Sequence, residues 1–281
     1  MAEAKASTKV PRSDSDTGIV PNQMVVELYR KMLTVFYIEE RMKIFTRQGK
    51  CTFLASTRGH EKLQVGITML MRPKHDWFFT YYREKAIAAA LGMPLKDIFL
   101  GMLSRAGDPN SGARNMPEHF SSRALNLVSM TACTGTQYLN AVGAAKALRK
   151  DGSDAIVYVS SGEGTTSEGE FFEALNWAAR EKLAVLFVIQ NNGYAISVSQ
   201  ATQHVAEIHR IARGFGMPAY DLDGTWYEPM YQTLPPVIER LRKGQGPALV
   251  EGQVIRMDPH SSSDDQKKYR SEEELREQLE R

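Results

Sequence analysis

Residues 155–197 read AIVYVSSGEGTTSEGEFFEALNWAAREKLAVLFVIQNNGYAIS. A short, β-branched apolar run at 155–159 leads into a glycine-rich turn. A helical stretch over 170–182 follows, and 183–189 is apolar without a break. Strands covered on both faces lose the period-two alternation, so two such runs joined by one helix predict a βαβ unit of a parallel sheet. An Ala-rich helix over 137–150, closed by Asp151-Gly152, and another apolar run over 248–255 continue the rhythm. The fold class expected is α/β, three layers deep, with a mostly parallel central sheet.

Ligands of open parallel sheets bind at the carboxyl ends of the strands. The first end here reads Ser160-Ser161-Gly162-Glu163-Gly164-Thr165-Thr166, the second Gln190-Asn191-Asn192-Gly193-Tyr194. A P-loop would need Lys after its last glycine, but Gly169 is followed by Glu170. A GxGxxG fingerprint fails too, because the glycine after Gly164 stands five positions on, at Gly169. A carboxylate set between two glycines repels a bare phosphate unless a cation lies between them. Glu163 and Asn192 are hard oxygen donors of the kind Mg²⁺ prefers, and their separation of 29 residues fits one βαβ unit of about 30. The amides of Gly164 and Thr165 would then meet a diphosphate at a helix N-terminus. Either segment alone could be an ordinary turn; the pair, each at a strand end, points to a site.

Outward from this centre, Leu28, Met32, Val35, Ile38, Met42 and Phe45 recur at helical spacing and predict a long helix ended by Gly49. Helical stretches are also expected over 61–70, 82–91 and 97–103, and the helix before residue 248 is expected to break at Pro235-Pro236. The polar loop over 106–123 is too long for a mere connector. Residues 1–21 read as a flexible arm and 22–281 as one domain. Of the six histidines, His75, His204 and His209 are expected at the surface, while His60 and His119, beside glycine or proline loops, are candidates for a site. With 35 Lys+Arg against 33 Asp+Glu, the net charge of +2 gives no reason to expect nucleic acid or a membrane surface as partner. Two cysteines, Cys51 and Cys133, make no disulfide framework. Without an apolar leader or a run of about 18 apolar residues, a cytoplasmic protein is expected, or one of the mitochondrial matrix in a eukaryote.

The run GEGTTSEGEFFEALNWAAREKLAVLFVIQNNGYAIS resembles the thiamine-diphosphate motif, GDG followed about thirty residues later by NN. With YYREK, ARNMPEHF, AVGAAKA and HSSSDDQKKYRS as further landmarks, the chain from Val25 onward is similar to the α subunit of the branched-chain 2-oxo acid dehydrogenase E1 component. The resemblance implies a thiamine-diphosphate-binding fold in which Glu163, Asn192 and the Tyr194 carbonyl hold Mg²⁺. Gly162, Gly164 and Thr165 would line the diphosphate, and Tyr82 and Arg83 would reach it. His260 is the implied catalytic histidine, contacting the diphosphate from a loop in which Ser261 matches a phosphorylated position. Thr131, Thr136 and Gln137 match a segment that binds K⁺ in some members.

The implied reaction is oxidative decarboxylation of a small branched-chain 2-oxo acid with acyl transfer to the lipoyl domain of an E2 component. The carboxylate that activates the cofactor would come from an E1 β subunit, in an α2β2 assembly or a fused β half. Departures are Gln190 for a frequent Arg, Thr134 for Leu or Val, Tyr81 for Gln, and Pro259 for a second His. Pyruvate or acetoin dehydrogenase E1α, or a non-catalytic nucleotide-binding subunit, are the alternatives. The chain stops soon after YRSEEEL, where such proteins continue with further helices, so a C-terminal truncation is a further expectation. The loop over 256–270 holds three serines and three aspartates and no apolar anchor, and is expected to order around a bound cofactor.

Overall fold

The computed structural model describes residues 20–279. Helices α1 (Asn22–Arg47) and α2 (Glu61–Leu70) precede strand β1 (Trp77–Phe79) and helices α3 (Lys85–Ala90), α4 (Leu95–Met102) and α5 (Gln137–Lys150). Then follow β2 (Val157–Gly162), α6 (Gly169–Glu181), β3 (Val185–Asn191), the hairpin strands β4 (Tyr194–Ala195) and β5 (Val198–Ser199), and α7 (Ile208–Gly214). Strand β6 (Ala219–Asp223), helix α8 (Tyr227–Arg242), strand β7 (Ala248–Gln253) and helix α9 (Glu272–Leu279) complete the order. All but the last two residues of the expected N-terminal arm, Val20 and Pro21, lie outside the described residues.

Five strands pair in the order β1-β2-β3-β7-β6, every pairing parallel. Alternate residues of each strand feed opposite cores. Tyr158, Leu186, Val188 and Val250 pack with α1, α2, α3 and α8, whereas Val157, Val159, Phe187, Ile189 and Leu249 pack with α5, α6 and α7. The three-layer α/β architecture read from the apolar runs is therefore the one observed. Between β2 and β3 the chain moves one way across the sheet with α6 on one face. Between β6 and β7 it moves back with α8 on the other, as right-handed crossovers require. The ends of β2, β3 and β7 thus open on one edge. No helix among the described residues is long and apolar enough to cross a membrane.

Three local expectations are corrected. Helix α8 runs unbroken through Pro235 and Pro236, which sit on its outer side while Leu234, Val237, Ile238 and Leu241 anchor it in the core. Burial of that face outweighs the lost backbone donors. The stretch after β1 turns helical only at Lys85, leaving Tyr82 and Arg83 on a turn. Strands β1 and β6 were not anticipated; three and five residues are too short to show a period.

The long loop is ordered by Asp108, whose carboxylate accepts the amides of Asn110, Ser111 and Ala113. It carries Glu118 into a fully buried ionic cluster: Lys85 Nζ lies 2.7 Å from Glu118 and 3.0 Å from Glu39. Glu39 Oε1 also accepts from the amide and hydroxyl of Thr57, both at 2.6 Å, and Glu118 Oε1 from the amide of Ala55 at 3.3 Å. Two carboxylates face one ammonium, and burial pushes Glu118 up to about 7 against the pull of Lys85. The cluster ties residues 55–57, just before α2, to α1 and α3. Lys85→Met should destabilise the fold by about 3–5 kcal/mol, because two buried carboxylates are left facing each other. Urea unfolding should show a smaller loss when Glu39→Gln and Glu118→Gln accompany it.

Candidate active site

The β2–β3 register places Gly162 beside Gln190. One residue past β2, Glu163 is 1% exposed, and its Oε2 accepts the backbone amide of Asn192 at 3.2 Å. Its Oε1 is buried with no hydrogen-bond partner. Burial raises the Glu163 carboxyl above its usual range, while the Asn192 amide and the Arg256 and Arg83 charges lower it. A buried carboxylate oxygen without a donor is costly, and a hard cation is a partner that would satisfy it. The Asn192 side chain closes its own turn, Oδ1 accepting the Tyr194 amide at 3.2 Å. The residues present therefore fit a bound divalent cation.

The glycines play distinct parts. A Cβ on Gly164 would stand 2.5 Å from that of Ala195, so this position is glycine because β4 packs on it. A Cβ on Gly162 would meet no atom within 4 Å. Residues Glu163–Ser167 form a 3₁₀ turn, and the α-helix begins only at Gly169. The expectation that Gly164 and Thr165 open an α-helix is corrected accordingly. The extended Glu168 interrupts the helical path, and Thr165 packs towards Gly135.

A second group comes from distant chain segments. Arg83, 2% exposed, donates to the carbonyls of Ser56 and His260 at 2.8 and 2.9 Å, and reaches His260 Nδ1 at 3.3 Å. The rings of Tyr82 and His260 meet edge to face with centroids 5.9 Å apart. Burial, together with Arg83 and Arg256, pushes His260 down to about 4, so the imidazole is neutral at physiological pH. Accepting from Arg83 at Nδ1 leaves its proton on Nε2, a neutral donor suited to a phosphate oxygen. Arg256, which no sequence signal singled out, is 1% exposed. It donates to the carbonyl of Ile196 and the hydroxyl of Tyr269, and its Nε is buried without a partner. The guanidinium groups of Arg83 and Arg256 act on both Glu163 and His260. An electropositive cleft over a buried carboxylate is suited to an anion held through a metal.

The loop over 256–270 is held by hydrogen bonds and by ring contacts of His260 with Tyr82 and of Tyr269 with Tyr194. The Ser262 amide donates to the Leu54 carbonyl at 2.8 Å, and Asp264 accepts from the His260 amide and the Tyr269 hydroxyl at 2.8 and 2.5 Å. Ser261 is 8% exposed, its hydroxyl 3.1 Å from that of Ser263. The Tyr194 ring lies under the Arg256 and Arg270 guanidinium groups, and its hydroxyl donates to Glu274. In the segment matched to a K⁺ site, Thr131 Oγ1 accepts the Cys133 amide, Thr136 donates to the Cys133 carbonyl, and Gln137 Oε1 accepts the Gly135 amide. Those oxygens close the segment's own turn.

Histidine placement departs from expectation at two positions. His204 is half-buried, 3.1 Å from the Thr166 hydroxyl and 3.3 Å from the Glu163 carbonyl. His209 is buried, its Nδ1 2.8 Å from Glu251, which also accepts from Asn191 at 2.7 Å. Their charged or helical segments read as surface, but the short elements carrying them pack on strand ends, a long-range fact. His75 is exposed, as expected, beside Asp154. Of the two open candidates, His119 turns back to the Pro117 carbonyl at 3.0 Å. His60 lies within the site, fully buried between Gln190 and Asn192. Burial and the Arg83 charge push His60 down to about 3, so it too is neutral. Glu84, which the sequence did not mark, lies beneath it. Burial raises its carboxyl to about 7 against hydrogen bonds from Ser160, Tyr158, the Tyr81 amide and Gln190.

Comparison with known proteins agrees with this arrangement. Residues 29–280 match the family described as dehydrogenase E1 component. The chain is 40% identical over 257 residues to the 2-oxoisovalerate dehydrogenase subunit alpha of Bacillus subtilis (strain 168), covering 91% of this chain and 78% of that one. To the pyruvate dehydrogenase E1 component subunit alpha of Staphylococcus aureus (strain Mu50) it is 33% identical, covering 90% and 66%. Among solved structures, transketolase from Campylobacter jejuni superposes with a TM-score of 0.62 at 16% identity, over 81% of this chain and 37% of that one, which speaks to the fold alone. The matched span takes in both strand-end motifs, the Arg83 turn and the His260 loop; the chain belongs to the dehydrogenase E1 component family and resembles its branched-chain α subunit.

Proposed function

We propose that the chain is the diphosphate- and Mg²⁺-binding α part of a branched-chain 2-oxo acid dehydrogenase E1 component, working with thiamine diphosphate and a β subunit or fused β half. The observation that carries this reading is the buried Glu163 carboxylate. One of its oxygens lacks a partner, Asn192 lies at the adjacent strand end, and two arginines and a neutral histidine stand above it. When bound, thiamine diphosphate would supply the carbon centre at which a 2-oxo acid loses its carboxylate. Glu163, Asn192 and the Tyr194 carbonyl would hold Mg²⁺, while Arg83, Tyr82 and the His260 Nε2–H would bind the diphosphate.

Arg83 is held by the Ser56 and His260 carbonyls and Arg256 by the Ile196 carbonyl, so these donors would be oriented before a ligand arrives. The greater identity to a 2-oxoisovalerate dehydrogenase α chain than to a pyruvate dehydrogenase one, 40% against 33%, supports a branched-chain acid. Acyl transfer to a lipoyl domain of E2 follows from the same reading. A K⁺ ion at Thr131, Thr136 and Gln137 has less support, because their oxygens are engaged locally.

Glu163→Ala and Asn192→Ala should each weaken Mg²⁺-dependent thiamine diphosphate binding by about 10–100-fold, read by calorimetry, at about 1.4 kcal/mol per tenfold. Tighter binding of Mg²⁺–ATP than of Mg²⁺–thiamine diphosphate would instead favour the nucleotide-binding alternative. The purified chain should not turn over 2-oxoisovalerate until a β partner is added, and steady turnover without one would contradict the division of labour. Ser261→Glu places a carboxylate at a buried position near Asp264, as phosphorylation would place a larger charge. It should loosen the segment and speed limited proteolysis over 256–270 in the cofactor-loaded assembly.

A further inference from the structure

Three buried side chains, Glu84, Gln190 and His60, lead in hydrogen-bonded sequence to Asn192, and every link but the last has a fixed donor and acceptor. Glu84 Oε2 accepts the Tyr81 backbone amide at 3.0 Å and the Ser160 hydroxyl; Oε1 accepts the Tyr158 hydroxyl at 2.7 Å and the Gln190 amide nitrogen. Glu84 Oε1 already takes the Tyr158 hydroxyl, and Gln64 Nε2 on the far side of Gln190 can only donate, so the Gln190 NH₂ faces Glu84. Gln190 Oε1 then faces the other way and gathers Gln64 Nε2 at 2.8 Å, His60 Nδ1 at 3.0 Å and the Tyr81 hydroxyl at 3.4 Å. Gln64 Nε2 is also bound to the Arg83 carbonyl at 2.8 Å, so it is the amide group, a donor, that faces Gln190. An oxygen accepting from Nδ1 puts the single proton of neutral His60 on Nδ1. Its Nε2 is then a lone pair, which lies 3.5 Å from Asn192 Nδ2.

We propose that Glu84, Gln190 and His60 are positioning residues that set the amide orientation of Asn192, so that its oxygen rather than its nitrogen faces the cation site. This rests on the reading of Asn192 as a cation ligand. With the opposite His60 tautomer, an N–H would face Asn192 Nδ2. The amide would turn over, placing NH₂ against the Tyr194 backbone N–H, which now donates to Oδ1 at 3.2 Å. The metal would lose its oxygen ligand without any change in the residue that supplies it. Outer groups that fix the orientation of a ligand are a general feature of metal sites.

Glu84→Gln tests the chain with almost no change of shape. Its new NH₂ cannot lie towards the Tyr81 backbone N–H, which has no freedom to turn, so it must face Gln190. For the Gln190 amide then to reverse, and the His60 tautomer with it, Gln64 Nε2 must give up Gln190 Oε1 and keep only the Arg83 carbonyl. The ring ¹⁵N shifts of histidine-labelled protein, with His60 identified by its absence in His60→Gln, report the tautomer directly. The inference expects an Nδ1–H ring in the wild type, an Nε2–H ring in Glu84→Gln, and at least a tenfold loss of Mg²⁺-dependent thiamine diphosphate affinity by calorimetry in that variant. An Nε2–H or doubly protonated His60 in the wild type overturns it, and this measurement holds even if Glu84→Gln does not fold. Wild-type affinity in a folded Glu84→Gln overturns it as well, provided Asn192→Ala has lost affinity. Wild-type affinity in Asn192→Ala would instead remove the underlying cation-ligand reading.

Discussion

The parallel pairing of β2 with β3 is the constraint on which the site depends. Six consecutive residue pairs, from Val157 with Val185 to Gly162 with Gln190, fix where the two strands end. Side chains alternate across a strand, so a slip of one residue would exchange the two cores and carry Glu163 away from the Asn192 amide. The apolar residues that hold the register are therefore as much part of the site as the carboxylate is. Val159, Phe187 and Ile189 secure one face, Tyr158, Leu186 and Val188 the other.

Charge follows from that register. Glu163 is driven into the protein by the strand that precedes it, and its burial calls for compensation. Two arginines supply part of it, Arg83 from the turn after β1 and Arg256 from the segment after β7. The same arginines, with burial, keep His260 neutral, so cation and neutral donor stand side by side above one anion. Beneath them Lys85, Glu39 and Glu118 perform a structural task with similar chemistry, since a buried ammonium holds the chain before α2 in place. His60 and Gln64 project from that region into the cleft, so the ionic cluster and the cleft are mechanically joined.

The loop over 256–270 shows a different balance. Its hydrogen bonds to Leu54, within the loop to Asp264, and from Arg256 to Tyr269 hold it beside the two ring contacts. Polar contacts of this kind hold a segment with little net stabilisation each, about 0.5–1.5 kcal/mol. Such a segment answers readily to a charge placed within it, and Ser261 is well placed to introduce one.

The central βαβ unit and the Glu163–Asn192 pairing were legible in the sequence because they are local. An uninterrupted apolar run, a glycine-flanked carboxylate and a separation of 29 residues need no knowledge of what packs where. The landmark segments, through the family resemblance, marked Tyr82, Arg83 and His260 as well, all directed to one diphosphate. What the sequence could not show was everything set by contacts between distant segments. Arg256 and Glu84 carry no signal of their own in the sequence, and His204 reads as a surface residue. Pro235-Pro236 reads as a helix break. Each of these readings follows local chemistry, and tertiary packing reverses each. Burial strips water from Glu84 and Arg256, the hairpin brings His204 to the Glu163 carbonyl, and the core grips α8 on both sides of its prolines. Periodicity and spacing record which face a residue turns inward; only the folded chain determines what it meets there, because desolvation and hydrogen-bond direction are properties of neighbours rather than of sequence.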